Sequence, residues 1–264
     1  MKLSIFAVIV SFAILSEISA LDDSTRIVNG EDTKTGQFPF MVSVKYRGSH
    51  NCGGTIISSK WILTAAHCIL VNYVSLMTIL YGTIHLQNGR NPVNNTAKVA
   101  RAIVHENYQD YGGYENDIGV IELEDEIEIN GLANPILLNT RERTFALGTR
   151  GILVGWGYNK TNGTVPDTLQ YTAIEVFDSS YCINSYNSSV LNPAVHICAG
   201  LVHGGKGQCS GDSGGPLVVN GHQVGIVSWS DKPCASPGKP GVFTRVSTYI
   251  DWIYDKTGIS LYKS

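Results

Sequence analysis

The sequence carries little charge, and its longest hydrophobic run is short. Charged residues make up 16% of the 264 residues and the formal net charge is −3, so no basic surface indicates binding to nucleic acid. The apolar run at residues 3–15 is shorter than the roughly 20 residues that a membrane-spanning helix needs, and no later run is long enough. Internal repeats, low-complexity tracts and linkers are also missing. These absences disfavour a membrane-spanning, nucleic-acid-binding or repeat protein.

The first twenty residues have the pattern of a secretory signal peptide. Lys2 supplies the positive charge, residues 3–15 the short apolar region and Ala20 the small residue at the expected cleavage site. We therefore expect a secreted, extracellular protein that folds in an oxidising compartment, where its six cysteines can pair. Six cysteines allow 15 pairings, so the residues alone leave the connectivity open.

The most informative motif is G-D-S-G-G-P at residues 211–216, which places Ser213 among glycines. A serine hydroxyl becomes an effective nucleophile only beside a base and with donors for the oxyanion that it forms. Partners of the right kind stand upstream, namely His67 in T-A-A-H-C and Asp117 in N-D-I-G. Each residue alone has an ordinary structural explanation. Together they follow the order His, Asp, Ser, which is one of the known triad orders and favours nucleophilic catalysis.

Two other hydrolase arrangements fit part of this pattern. Residues 211–215 also match the G-x-S-x-G nucleophile elbow, a fold that needs an acid and then a histidine after the serine. Only His222 follows Ser213, and no Asp or Glu lies between them, so this arrangement fails. The order Asp, His, Ser remains formally possible through Asp32, but it leaves Asp117 unexplained.

Eight motifs between residue 26 and the C-terminus resemble the chymotrypsin family (S1) of serine endopeptidases. They stand in the family's order: R-I-V-N-G (26–30), C-G-G-T-I-I (52–57), T-A-A-H-C (64–68), N-D-I-G (116–119), G-W-G (155–157), G-D-S-G-G-P (211–216), V-S-W (227–229) and K-P-G-V-F-T-R-V (239–246). The resemblance implies an all-β, trypsin-like fold of two antiparallel six-stranded β-barrels with a C-terminal helix.

The resemblance also divides the chain into parts. The expected order is a signal peptide (1–20), an activation propeptide (21–26) and a peptidase domain (27–264). Within the peptidase domain we expect an N-terminal barrel at about 27–135, a C-terminal barrel at about 140–245 and a helix at about 247–257.

Local patterns agree with this division. Residues 41–46 alternate as in a half-buried strand. Asn220-Gly221 is the dipeptide that favours a two-residue hairpin turn. Near the C-terminus, Ser247 is placed to cap a helix and Gly258 to end it. The sequence therefore predicts short strands throughout and one helix at the end.

The resemblance assigns the chemistry to three residues. Ser213 would attack the peptide carbonyl, His67 would transfer its proton, and Asp117 would orient His67. Backbone N–H groups of Gly211 and Ser213 would hold the oxyanion. The strand expected to pair with the substrate backbone comprises Ser228, Trp229 and Ser230. Three disulfides are implied, Cys52–Cys68, Cys182–Cys198 and Cys209–Cys234.

The resemblance further implies a zymogen. Cleavage after Arg26 would give Ile27 a free α-ammonium, which in this family is buried against the acid before the serine, here Asp212. Neither charge is stable when buried alone, so their pairing would order the oxyanion loop.

The expected specificity pocket, S1, contains no acid. Gly207 would lie at its floor with Gln208 beside it, and Ser230 and Gly241 would form its walls. A lysine or arginine would be desolvated there without a partner. We therefore predict uncharged P1 residues, aromatic or aliphatic. An enzyme that rejects arginine does not cut efficiently after Arg26, so a separate trypsin-like activating protease is expected.

Four sequons predict N-glycans on surface loops, at Asn94, Asn159, Asn162 and Asn187. No metal or other cofactor is predicted, because residues 82–97, which match the calcium loop of trypsins, contain no carboxylate. The expected partners are protein or peptide substrates and protein protease inhibitors, and the expected state is a monomer. The alternative function is a catalytically silent secreted homologue that binds without cutting.

Overall fold

A computed structural model describes residues 27–87, 95–141, 145–146, 148–186 and 190–261. The expected signal peptide, the propeptide with Arg26, and the sequons at Asn94 and Asn187 lie outside these residues. Two closed antiparallel barrels of six strands each form the body of the protein, which confirms the predicted all-β, trypsin-like fold. In the described part of the chain no helix has the length and apolar character to cross a membrane.

The first barrel follows a short strand, β1 (Glu31–Asp32). Its six strands are β2 (Met41–Tyr46), β3 (Ser49–Ile56), β4 (Trp61–Thr64), β5 (Met77–Leu80), β6 (Thr96–Val104) and β7 (Gly119–Leu123). They pair in the order β2-β3-β4-β7-β6-β5, and β5 closes the barrel on β2. Two 3-10 turns, Ala66–Cys68 and Val71–Leu76, connect β4 to β5.

The second barrel follows β8 (Leu137–Leu138), which pairs in parallel with β13. Its strands are β9 (Thr149–Gly155), β10 (Gln170–Phe177), β11 (His196–Gly200), β12 (Pro216–Val219), β13 (His222–Trp229) and β14 (Gly241–Arg245). They pair in the order β9-β10-β11-β14-β13-β12, and β12 closes the barrel on β9. The helix α1 (Ser179–Ser185) lies between β10 and β11.

The start of the described chain belongs with the second barrel. β1 pairs with β10, and Val28 forms a bridge with Gly207. Ile27 is fully buried within the apolar core of the second barrel. The first barrel therefore begins at Met41, rather than at residue 27 as the sequence suggested, because the preceding segment crosses to bury Ile27 under the other barrel.

Strand β2 is more buried than its alternating pattern predicts. Five of its residues are buried, and Tyr46 alone is half-buried. The polar members of the strand are tied internally, since the Ser43 hydroxyl hydrogen-bonds His50 Nδ1 at 2.8 Å and Lys45 Nζ donates to the Leu86 carbonyl at 3.0 Å. Neighbouring loops cover the face that an isolated strand would leave to water.

The hairpin and the helix near the C-terminus follow the sequence to different degrees. Asn220 and Gly221 both have positive φ, as a type I′ turn requires between β12 and β13. The final helix, α2 (Ile250–Thr257), starts later than residue 247, because a 3-10 turn occupies Val246–Tyr249. Ser247 does not cap it, whereas Gly258 ends it in a left-handed conformation.

Candidate active site

The three expected catalytic residues lie at the ends of strands from both barrels. His67 is on the 3-10 turn Ala66–Cys68, which follows β4. Asp117 stands two residues before β7. Ser213 lies in the turn that leads into β12. Short apolar strands bring the chain to this place and loops then present the polar side chains, so the residues stand on a rigid base.

Asp117 is completely buried and is held by hydrogen bonds on every side. Its Oδ2 lies 2.8 Å from His67 Nδ1, and its Oδ1 accepts the backbone N–H of His67 at 3.0 Å. Ser228 Oγ donates to Oδ2 at 2.5 Å, and Thr244 Oγ1 donates to the Asp117 carbonyl at 2.7 Å. Because a carboxylate only accepts, His67 carries its proton on Nδ1 and leaves Nε2 free to act as a base.

Ser213 reaches the same place through backbone contacts between the barrels. Its carbonyl accepts the N–H of Gly53 at 2.8 Å. Gly53 adjoins Cys52, which is bonded to Cys68 next to His67. This disulfide thereby joins the strand beneath the serine to the turn that carries the histidine.

The remaining cysteines also pair as the resemblance implies. Cys182 is bonded to Cys198, and Cys209 to Cys234. The latter bridge connects the segment before Ser213 to the loop after β13, and all six cysteines of the chain are thus used.

His50 supports the glycine at the expected oxyanion hole, a role that the sequence did not reveal. Its Nε2 lies 2.9 Å from the Gly211 carbonyl, and its Nδ1 lies 2.8 Å from Ser43 Oγ. Burial lowers the pKa of His50 to about 4, so the ring is neutral at neutral pH. Since a carbonyl only accepts, Nε2 donates to it. This bond fixes the peptide between Gly211 and Asp212.

Asp212 points away from the triad into a second buried site. Its carboxylate accepts the N–H groups of Gly157 at 2.8 Å and Cys209 at 2.9 Å. A Cβ at position 157 would lie 2.1 Å from Asp212 Oδ2, so only glycine allows this approach. Burial raises the pKa of the Asp212 carboxyl to about 7, against the opposing effect of these hydrogen bonds and of Lys232.

The residues expected to form S1 lie together around one small cavity. Gly207, Gln208, Ser230 and Gly241 all line it, and its volume is about 10 Å³. No Asp or Glu is among its lining residues, whereas Lys206 and Lys239 are. Asp231 is close by, but Lys239 Nζ pairs with it at 3.3 Å.

A much larger groove of about 730 Å³ lies beside His67. Its walls include Ile69, Val71, Tyr108, Tyr114 and Trp229. Ser228 also borders it, so the segment expected to pair with the substrate runs from this groove to S1. Apart from Trp229, the sequence did not single out these residues, because apolar and aromatic residues are common throughout the chain and only the folded loops bring these ones together.

The comparison with known proteins matches this architecture. The family described as Trypsin matches residues 27–253. Coagulation factor IX of Oryctolagus cuniculus is 38% identical over 238 residues, which cover 88% of this chain and 84% of that protein. Coagulation factor IX of Cavia porcellus is 35% identical, with coverages of 88% and 81%.

A human relative, Transmembrane protease serine 11B, is 35% identical over 240 residues. The match covers 89% of this chain, which spans little more than half, 56%, of that relative's length. The family match extends over most of the chain and includes both barrels and every residue of the candidate site. The chain therefore belongs to the trypsin family of serine proteases.

Proposed function

We propose that this protein is a secreted serine endopeptidase, made as a zymogen, that cuts peptide bonds after uncharged P1 residues through an acyl-enzyme. The observation that carries the proposal is the geometry of Asp117 and His67. A buried carboxylate that accepts both Nδ1–H and the backbone N–H of one histidine selects its tautomer and orientation. A general base requires such an arrangement, whereas a histidine that only packs at the surface does not.

In the reaction, His67 Nε2 takes the proton of the Ser213 hydroxyl as Oγ bonds to the substrate carbonyl carbon. The proton then passes to the leaving amine as the carbon–nitrogen bond breaks, which leaves an acyl-serine. A water molecule, deprotonated by the same His67 nitrogen, attacks the acyl carbon, and the proton returns to Ser213 as the acid product leaves. Asp117 stays ionised and stabilises the imidazolium.

The oxyanion formed in each half-reaction is assigned to the backbone N–H groups of Gly211 and Ser213. Each such donor contributes roughly 3 to 4 kcal/mol of transition-state stabilisation. The neutral His50 holds the peptide between these donors through the Gly211 carbonyl. His50 is therefore proposed as a positioning residue for the oxyanion hole.

Activation is assigned to cleavage after Arg26. Ile27 and Asp212 are both fully buried. An α-ammonium on Ile27 would give the Asp212 carboxylate the counter-ion that its raised pKa indicates it lacks in the uncut chain. The uncharged P1 preference implies that a separate trypsin-like protease makes this cut.

The substrate is assigned to residues 228–230 as an added strand, with its P1 side chain in the cavity beside Gly207. The absence of a carboxylate among the residues lining that cavity supports an uncharged P1 residue. Protein or peptide substrates and protein inhibitors are the proposed partners, the proposed state is a monomer, and no cofactor is assigned. The sequon at Asn162 stands on an exposed loop that a glycan can reach, and the half-buried Asn159 shares that loop.

Labelling with a fluorophosphonate tests the proposal directly. Protein cut after Arg26 should react once, at Ser213, and should then lose all peptidase activity. Ser213→Ala should not react, whereas Ser210→Ala, which removes a neighbouring serine on the same loop, should react normally. Absence of labelling in the cut wild-type protein would instead indicate a catalytically silent binding homologue.

A further inference from the structure

The residue before Asp117 has a backbone conformation that is uncommon for a residue with a side chain. Asn116 has a φ of 57°, in the left-handed region, and its carbonyl accepts the N–H of Ile118 at 2.8 Å. The chain therefore turns tightly around Asp117. Asparagine is among the residues that tolerate this region, and such a conformation persists where surrounding contacts hold it.

The side-chain amide of Asn116 supplies two of those contacts. Its Nδ2 donates to the Asn107 carbonyl at 2.9 Å, and its Oδ1 accepts the Tyr249 hydroxyl at 3.0 Å. Asn107 lies in the loop between β6 and β7, whereas Tyr249 ends the 3-10 turn before α2. The amide therefore fastens the turn around Asp117 to two parts of the chain that are far apart in sequence.

Tyr249 is held in place by its surroundings. The residue is 3% exposed, and its ring packs edge to face on His105 with the ring centroids 5.3 Å apart. Burial raises the pKa of the Tyr249 hydroxyl, so the group keeps its proton. Because the amide oxygen of Asn116 only accepts, the hydroxyl donates to it. Tyr249 thus offers Asn116 a donor in a fixed position.

The geometry of the triad depends on this turn. The Asp117 carboxylate has to meet His67 at two points, Nδ1 at 2.8 Å and the backbone N–H at 3.0 Å. Ser228 and Thr244 hold the carboxylate and the carbonyl of Asp117, while Asn116 sets the path of the chain on its N-terminal side. Misplacement of a catalytic group by about 1 Å can lower a rate by about 100-fold.

We propose that Tyr249 is a positioning residue for the catalytic triad, because its hydroxyl fixes, through Asn116, the turn that carries Asp117. This rests on the proposed endopeptidase function and deepens it. A residue that only packed in the core would affect stability alone, whereas a positioning residue also affects the chemical step.

Tyr249→Phe tests this role, since it removes the hydroxyl and keeps the ring. In protein cut after Arg26, kcat and kcat/KM for a peptide substrate should both fall about fivefold, the effect of one hydrogen bond. KM should stay within about twofold, because the chemical step changes and substrate binding does not. The NMR resonance of the His67 Nδ1 proton should move upfield, because its hydrogen bond to Asp117 weakens.

A double variant shows whether the effect passes through Asn116. Asn116→Gly removes the amide and accepts the positive φ of this position without strain. In this background Tyr249→Phe should cause no further loss of kcat, because the hydroxyl has already lost its partner. Losses that multiply in the double variant would show that Tyr249 acts independently of Asn116, and would overturn the proposal.

Thr248→Val is the matched control, because it removes a hydroxyl from the neighbouring residue of the same 3-10 turn. That hydroxyl donates to the Ala194 carbonyl at 2.7 Å and not to Asn116. The control should leave kcat, KM and the His67 resonance unchanged. A wild-type kcat in Tyr249→Phe would overturn the positioning role, while fluorophosphonate labelling of Ser213 still supported the endopeptidase. No labelling and no cleavage by the cut wild-type protein would overturn both proposals.

Discussion

Two cavities lie along residues 228–230 and differ greatly in size. The groove beside Tyr108 and Tyr114 has a volume of about 730 Å³, whereas the pocket beside Gln208 has about 10 Å³. The groove is bordered by Ser228 and Trp229 of β13, and the pocket by Ser230, the residue that follows. A substrate strand along residues 228–230, as proposed, would therefore meet an open apolar wall at one end and a nearly closed cavity at the other.

Trp229 connects the two cavities. Its Nε1 donates to the Gly113 carbonyl at 2.9 Å and holds the loop that carries Tyr114, while its own carbonyl holds the Gln208 amide at 2.7 Å. The indole therefore holds a loop that borders the groove, and the backbone of the same residue holds a side chain that lines the pocket. Substitution of the Trp229 side chain should therefore affect the groove alone, whereas substitution of Gln208 should affect the pocket alone.

The largest expected effect is on the chemical step and leaves both cavities unchanged. Asp117→Asn should lower kcat about 10⁴-fold, because an amide at this position no longer imposes the tautomer that leaves His67 Nε2 free. This is the loss that the same substitution causes in the Ser-His-Asp triad of this family. Neither cavity changes, so KM for a peptide that fills the groove should stay within about threefold. Steady-state kinetics measures both parameters, and Asp125→Asn, which changes an exposed acid elsewhere, is the control. Equal kcat values for the two variants would contradict the role assigned to Asp117.

The next effect concerns the buried Asp212. In the uncut chain its pKa of about 7 exceeds the ordinary value of 3.8, so in the native state this group holds a proton that the unfolded chain releases. The contribution of Asp212 to stability should therefore fall as pH rises from about 4 to about 7, by up to about 4 kcal/mol, and then level off, while the lowered pKa of His50 gives a contribution of the opposite sign between about pH 4 and 6.5. A positive charge on Ile27 removes this penalty, so the cut protein should not show the fall.

Denaturant unfolding of both forms at pH 4.5 and pH 7.5 measures this difference. Asp212→Asn, which does not titrate, should remove this contribution, so the difference in stability between the uncut wild-type protein and Asp212→Asn at the two pH values isolates it from that of His50. Equal pH dependence of the cut and uncut proteins would argue against the pairing of Ile27 with Asp212.

The smallest expected effect is on substrate binding in the groove alone. Trp229→Phe removes the N–H that holds Gly113, a loss of about 1 kcal/mol, and should raise KM about fivefold for peptides with an apolar residue before P1. The ratio of kcat/KM for P1 Ala to kcat/KM for P1 Phe should stay within about twofold of the wild-type ratio, because the Trp229 carbonyl still holds Gln208. Tyr171→Phe is the control, since it removes a side-chain hydrogen bond to Glu31, and neither residue lines the groove. An equal change in KM in both variants would refute the separation of the two cavities.

Local sequence predicted those features that local physics controls. Asn220-Gly221 forms its turn because both residues accept positive φ, and Gly258 ends the helix for the same reason. Ser247 failed as a cap because the chain enters α2 through a 3-10 turn. The alternation in β2 correctly predicted a strand, but loops that come from elsewhere in the chain bury its polar face.

The sequence by itself determined the family, the order of the candidate triad and the absence of an acid at the floor of S1, because these depend on which residues stand at which position. Only the tertiary structure decided that His50 contacts the Gly211 carbonyl, that the segment from Ile27 joins the second barrel, and that Trp229 holds the Gln208 amide next to Gly241. Each of these depends on a hydrogen bond or a burial between residues far apart in the chain. The carbonyl of Trp229 decides where the Gln208 amide lies, and no local pattern around residue 208 contains that information.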